Sequence, residues 1–500
     1  MLNKKSMVDQ FLLARAVGTP LISIISPDPE ITITRLISGL QSNEKVTTDA
    51  IAPIIQWDCI RGWKPRNKAG TEAIKTVLKK FEVEIETTRN PIRHLIFAEE
   101  LPHGSVLFIL NAHHRTHQIE KPDFWQALWN LRDPFKSTFR TAVILSPAIQ
   151  LPIDVSGDIL TIDEGLPDEK ELLQIVDSIS GLTSYHYTKK NKLEAAKALQ
   201  GLTPFSAEQA TAFALKPTVI NVNEIFDRKR ELLNEIPGLK VYSGSEKFND
   251  IGGCDEVKTL LSRVINGKHP PKVIVFIDEG EKAMAGATHA IGDNTGIAQD
   301  QMGALLTYME DNETDGVIFV GPTGTAKSAM AKVMGNEATV PTVFLDLGAM
   351  KSSLVGASEH RLRYALKIID SIGHGQVFFI MTSNNISKIP PEFKTRFSSG
   401  TFFFDLPTKD ERQKIWEIHT SRYEISMTEV EAVEDEGWTG REIRNCCRMA
   451  YRQGITLSEA SKYIVPVAMS ARDSIESLRR MANGNFLSAN SPGVYNYARG

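Results

Sequence analysis

Gly321-Pro322-Thr323-Gly324-Thr325-Ala326-Lys327-Ser328 holds the residue types that grip a polyphosphate. An apolar run, residues 317–320, precedes it, and Ala329-Met330-Ala331-Lys332 reads as a helix start. Strand, tight glycine-containing loop and helix in that order aim backbone N–H groups into one concavity. Gly321, Thr323, Gly324, Thr325 and Ala326 form its wall. Lys327 is then placed to reach the β- and γ-phosphates of ATP, and the Ser328 hydroxyl to help hold Mg²⁺. The strict pattern, G-x-x-x-x-G-K-[ST], has a second glycine where this chain has Ala326. An alanine near a helix start takes helical angles at little cost, so the loop is expected to stay open.

A second run, Val273-Ile274-Val275-Phe276-Ile277, ends in Asp278-Glu279. Its apolar residues bury a strand, and carboxylates at the C-terminal end of a parallel strand stand where ligands bind. Asp278 would position Mg²⁺ through water, and Glu279 would polarise the water attacking the γ-phosphate in line. Alone, either motif is also an ordinary turn beside a buried strand. Paired, they point to a nucleotide hydrolase.

The elements that must position these residues read as an α/β chain. In the first half, strands are expected near residues 21–26, 53–59, 106–111, 141–146 and 158–162, with helices over 70–81 and 121–131. Such alternation predicts a parallel sheet covered on both faces. After its first strand comes Pro27-Asp28-Pro29-Glu30, whose carboxylates repel phosphate, and its third strand ends in Asn111. This module is expected to hold no nucleotide. His113, His114 and His117 lack partnering carboxylates and read as a solvated loop rather than a metal site. Two short helices around residues 193–214 share a plan with the stretch near Trp438–Ile443, written Trp438-Thr439-Gly440-Arg441-Glu442-Ile443, which suggests two related modules in tandem.

Composition excludes some classes. The 500 residues carry 57 basic and 61 acidic side chains, net −4, which argues against a large nucleic-acid footprint. Four cysteines without C-x-x-C spacing fit a reducing compartment. No secretory h-region or membrane-length apolar run is present in the sequence, so a cytoplasmic chain without a membrane partner is expected.

These motifs resemble the AAA family. Phe248-Asn249-Asp250-Ile251-Gly252-Gly253 is similar to the F-x-D-I-G-G run that precedes AAA cores, and Gln376-Val377-Phe378-Phe379-Ile380-Met381-Thr382-Ser383-Asn384 to the sensor-1 strand. Ser353-Leu354-Val355-Gly356-Ala357-Ser358-Glu359 resembles pore loop 1, with Leu354 where an aromatic is usual. Residues 390–397 resemble the arginine-finger segment, without its L-L-R-x-G-R-F run. The chain also resembles the ycf-type AAA proteins of algal plastids and cyanobacteria, whose S-L-V-G-E-S-E and L-x-T-x-L-T-W-x-Q-E runs look like residues 353–359 and 302–310. One departure is the order: in AAA+ chains the Walker B strand follows the phosphate loop, whereas Asp278 precedes Lys327. Moving one strand–helix unit changes only which neighbour each crossover reaches, so the packed sheet can stay the same.

The resemblance implies an α/β fold of two tandem P-loop/AAA-like parallel-sheet modules with helical lids, the first degenerate and the second a permuted AAA+ core. Expected bounds are 1–215 for the degenerate module, 216–244 for a linker, 245–407 for the core, 408–465 for the lid and 466–500 for a mobile tail. Asn384 would be sensor 1 and Arg396 a finger supplied to the neighbouring subunit. Arg441, Arg444 and Arg448 share a helix face, and any could approach the phosphates, Arg441 first among them. The implied activity is Mg-ATP hydrolysis by a homo-oligomeric ring, a hexamer, remodelling or threading a protein client. The client would meet the N-terminal module and the loop at Leu354, Val355 and Gly356, in cytoplasm or plastid stroma. A nucleotide-gated scaffold with little turnover and a nucleic-acid motor stay open as alternatives.

Overall fold

Two sheets dominate the computed structural model, which describes residues 6–42, 52–111, 122–147, 151–283, 297–350, 357–389 and 391–497. His113, His114, His117 and the loop at Leu354, Val355 and Gly356 lie outside the described residues. The chain divides into two units, residues 1–182 with 202–209, and residues 183–201 with 210–500.

The first unit holds β1 (Leu21–Ile25), β2 (Ile54–Asp58), β3 (Gly62–Pro65), β4 (Val106–Leu110), β5 (Thr141–Ser146) and β6 (Leu160–Asp163), in the order β3-β2-β4-β5-β1-β6. All pairs are parallel except the β2–β3 hairpin, which the sequence reading did not include. Side chains alternate between two cores: Leu107 and Ile109 join Trp57 on one face, while Val106 and Phe108 join Phe11 and Ile22 on the other. Just past β1, side chains close the place where a phosphate loop would begin. The Ser26 and Thr32 hydroxyls are 2.7 Å apart, the Thr32 hydroxyl donates to Glu164, and Arg35 lies 3.5 Å from the same carboxylate.

The second unit holds β7 (Leu239–Val241), β8 (Val273–Ile277), β9 (Asp315–Val320), β10 (Thr342–Leu345), β11 (Val377–Ser383), β12 (Thr401–Phe403) and β13 (Leu487–Ser488). Their order is β13-β12-β9-β11-β8-β10-β7, parallel throughout except for β7 against β10. Thus β11 lies between the strand of the phosphate loop and the strand of Asp278. Met381 is level with Ile277 on one side and Ile318 on the other, so the three strands end along one edge. Helices Asp255–Ile265 and Lys327–Ala338 cover one face, burying Val257, Leu261, Met330 and Met334 against Phe276, Phe319 and Phe378. Behind them, helices Lys409–Arg422 and Gly440–Gln453 pack around Trp416, Trp438, Cys446 and Cys447. Burial pushes those two thiols up to about 11 and about 12, so they act as core side chains.

Two stretches depart from expectation. Residues 216–244, read as a linker, contain helix Val222–Asn234 and β7, with Ile225 and Leu233 buried. Residues 466–497, read as a mobile tail, contain helix Arg472–Ala482 and β13. Ile475, Leu478 and Ala482 form a buried stripe on that helix. Arg479 Nε donates to both oxygens of Asp405 at 2.9 and 3.1 Å, and the Tyr495 hydroxyl donates to Asp405 at 2.6 Å. The Asn, Ser and Gly content after residue 483 hid the Tyr495 anchor.

Candidate active site

The phosphate loop leaves β9 on residues that need unusual backbone angles. Gly321 has φ +156°, and a Cβ there would lie 2.1 Å from the Phe404 carbonyl oxygen. Gly324 has φ +92° with the Thr439 hydroxyl close above it. Ala326 caps helix Lys327–Ala338 at φ 69°, ψ 6°, in the left-handed region. This corrects the expectation that alanine takes helical angles here at little cost. A Cβ in the left-handed region costs roughly 1 kcal/mol against glycine. Ala326→Gly is therefore expected to stabilise the nucleotide-free protein by about 1 kcal/mol, a rise of roughly 2–4 °C in Tm. Thermal unfolding checks this, and an unchanged or lower Tm would refute the strain.

Lys327 folds back onto its own loop, donating to the Gly321 and Pro322 carbonyls at 2.7 and 2.6 Å. Burial pushes its ammonium down to about 8, against the pull of Glu281 and Asp278. Across the loop, Asp278 Oδ1 accepts from the Ser328 hydroxyl at 2.8 Å and from the Thr382 hydroxyl at 2.5 Å. Thr382 Oγ1 in turn accepts from the Glu279 N–H at 3.0 Å. Glu279 itself is left-handed, φ 49°, a conformation non-glycine residues hold where surroundings impose it. Its Oε1 accepts from Asn384 Nδ2 at 3.4 Å, and its Oε2 lies 2.6 Å from Lys282 Nζ. The Asn384 N–H donates to buried Glu281 at 3.1 Å.

These groups line a cavity of about 500 Å³, within the range of small-ligand pockets. Thr323, Gly324, Thr325, Ala326, Lys327 and Ser328 face it, with Asp278, Glu279 and Asn384. Gly321 lies beneath, its carbonyl covered by Lys327. A carboxylate beside a hydroxyl is a hard oxygen pair of the kind Mg²⁺ accepts alongside phosphates and water, so Asp278 and Ser328 fit that ion.

Residues 5–164 match the family described as "SpoVK-like AAA ATPase, N-terminal domain", and residues 317–373 match "ATPase family associated with various cellular activities (AAA)". Among curated proteins, the AAA domain-containing protein ycf46 of Guillardia theta is 23% identical, over 96% of this chain and 95% of its own length. The ycf46 protein of Pyropia yezoensis is 24% identical, over 79% and 85%. A shorter match, 30% identical over 23% of this chain and 13% of the other, is the "ATP-dependent zinc metalloprotease YME1 homolog" of Schistosoma mansoni. The chain carries AAA ATPase domains and is homologous to the ycf46 AAA proteins of algal plastids. Those family matches support AAA-type ATPase domains with a nucleotide-binding P-loop. Among the described residues, no helix is long and apolar enough to cross a membrane.

Within the second unit, the three candidate lid arginines part company. Arg441 stands on the second residue of helix Gly440–Gln453, its Cβ 3.2 Å from where a Cβ on Gly324 would be, and lines the cavity. Arg444 lines it too, whereas Arg448 bonds Asn445 away from it. Arg396 is not brought to the cavity; it pairs with Glu310 at 2.8 Å. Sequence reasoning missed Thr382, the last residue but one of β11. It also missed further lining residues of the cavity, Ile251, Gly252, Ile415, Ile418, His419 and Asn490. Burial, with Arg422 and Arg444 nearby, pushes His419 down to about 4, so this imidazole is neutral near pH 7.

Proposed function

We propose that this protein binds Mg-ATP at the second-unit cavity, hydrolyses it, and works as a ring of identical copies on a protein client. The observation that carries the reading is one connected set of bonds: Ser328 to Asp278, Asp278 to Thr382, and Thr382 to Glu279, beside a phosphate loop. Asp278 and Ser328 would hold Mg²⁺, which when bound neutralises charge on the β- and γ-phosphates. Lys327 exchanges its loop carbonyls for phosphate oxygens. Glu279 polarises the attacking water, Asn384 orients it, and Arg441 reaches the phosphates from the lid. Arg396 leaves Glu310 to serve a neighbouring copy's nucleotide, which requires a ring, taken as a hexamer.

The second unit is a permuted AAA+ core in this reading, and the first its degenerate counterpart. The strand orders support it. In the first unit β1 lies between β5 and β6, with β4 and β2 beyond β5; in the second β9 lies between β12 and β11, with β8 and β10 beyond β11. The strand ending in Asp278 thus occupies the place of β4, which ends beside Asn111, although its chain order has changed. The domain bounds then shift from the expected ones: β7 and β13, from the stretches read as linker and tail, join the core sheet. The client would meet the first unit and the loop at Leu354, in cytoplasm or plastid stroma, an assignment that rests on family likeness.

One contact favours the gated scaffold as a second reading. Lys282 Nζ lies 2.6 Å from Glu279 Oε2 and competes for the carboxylate that must polarise water. Steady-state ATP turnover of the intact protein, with and without Mg²⁺, together with its mass in solution with and without ATP, separates the two. Mg²⁺-dependent turnover in an ATP-stabilised oligomer is the expected result. Assembly on ATP without turnover sinks the motor reading.

A further inference from the structure

The segment that follows the lid returns to the cavity. Leu487 and Ser488 pair with Phe402 and Phe403 as β13, the edge strand of the sheet. The Ala489 N–H donates to Phe403 at 3.1 Å, and the Ala489 carbonyl accepts from the Val257 N–H at 3.2 Å. The next residue, Asn490, is held by the Ser488 hydroxyl, which accepts its N–H at 3.3 Å, and its side chain enters the cavity wall. There it neighbours Glu411, which packs beside Gly253 and shares the wall with Ile251, Gly252 and Ile415.

The amide of Asn490 has one orientation. Its Nδ2 donates to Glu411 Oε2 at 3.2 Å. That carboxylate is itself pinned, because Oε2 also accepts from the Thr408 N–H at 2.8 Å in a capping box. Turning the amide over would set its oxygen against a carboxylate, two acceptors face to face. Oδ1 is therefore the atom left over, and among the described residues nothing donates to it. A fixed acceptor in a wall that also presents Ile251 and Ile415 suits an aromatic ring that carries an N–H at its edge.

We propose that Asn490 reads the nucleotide base: Oδ1 accepts from the 6-amino group of adenine, while Glu411 prevents the flip that would suit the 6-oxo group of guanine. This rests on the cavity being a nucleotide site. The discrimination follows because guanine would meet Oδ1 with a second acceptor and leave both desolvated. The C-terminal segment is in this way part of the binding site, and the clamp of Arg479 and Tyr495 on Asp405 keeps it in place.

The test is equilibrium binding of ribose-labelled fluorescent ATP and GTP to the full chain in Mg²⁺, with Tm recorded for each variant. The intact protein is expected to prefer ATP. Asn490→Ala should weaken ATP about tenfold and leave GTP unchanged, removing the preference. Glu411→Gln, which frees the amide to turn, should raise GTP affinity towards that of ATP. Lys327→Ala, by contrast, should weaken both nucleotides alike. Equal affinity of the intact protein for ATP and GTP overturns the proposal, as does an Asn490→Ala variant that keeps the preference or loses both nucleotides equally. Failure of the intact protein to bind either nucleotide overturns the nucleotide reading and this one with it.

Discussion

Glu279→Gln is expected to bind ATP with near-unchanged affinity and to turn it over at least about 100-fold more slowly. The substitution preserves the size of the side chain and an oxygen that can accept from Asn384, 3.4 Å away in the intact protein. What it removes is the negative charge that draws a proton from water as the water attacks. The phosphate grip, through Lys327 and the loop N–H groups, does not depend on that charge, so nucleotide accumulates unhydrolysed. If hydrolysis needs a ring, the variant should hold the assembled state longer than the intact protein. The partner of Glu279 refines the expectation. Lys282, exposed and 2.6 Å from Oε2, offsets part of the same charge, so Lys282→Ala should raise turnover modestly. Single-turnover assays beside binding curves decide the matter. A Glu279→Gln rate near that of the intact protein would remove Glu279 from the chemistry.

Lys327→Ala should lower ATP affinity by roughly 100-fold, the scale of about 3 kcal/mol for one or two charge-assisted hydrogen bonds to phosphate. In the structure the ammonium donates to two backbone carbonyls, and burial has pushed it down to about 8. A triphosphate needs it charged. The sign follows: the bound complex holds the lysine proton above pH 8 while the free protein gives it up, so binding takes up a proton there. ATP affinity of the intact protein should therefore fall as pH rises past about 8, approaching tenfold per pH unit. Below that pH the lysine is protonated in both states and contributes no slope. Lys327→Ala should show no such fall between pH 7.5 and 9.5. A persistent fall in the variant would assign the proton to another group.

What the amino-acid sequence determined by itself was local. The run of residues 273–277 had to be a buried strand because no polar atom interrupts it, and Asp278-Glu279 had to emerge at its end. The phosphate loop was legible because its glycines, Lys327 and Ser328 act within eight consecutive positions. The first unit was legible for the same reason: β1, β2, β4 and β5 are apolar runs buried on both faces, and pattern alone marks them. Among the short, partly buried strands the pattern found β6 and missed others. The hairpin strand β3 and the short edge strands β7 and β13 are stabilised by their neighbours and carry little signal of their own.

Tertiary structure decided the rest, because it depends on groups far apart in the chain. Thr382 became the link between Asp278 and Glu279 only when β11 came to lie beside β8, over 100 positions away. Of the lid arginines, helix docking against Gly324 selected Arg441 and Arg444 and left Arg448 outside. Ala326 was read as a mild change to a motif, yet its left-handed backbone follows from how the loop must turn under Phe404 and Thr439. The final stretch shows the limit most clearly. Composition marked it as a loose tail, but Arg479 and Tyr495 meet Asp405 some 74 and 90 positions earlier and draw Asn490 into the cavity. Local pattern reports which residues leave water; it does not report which partners meet them once they have.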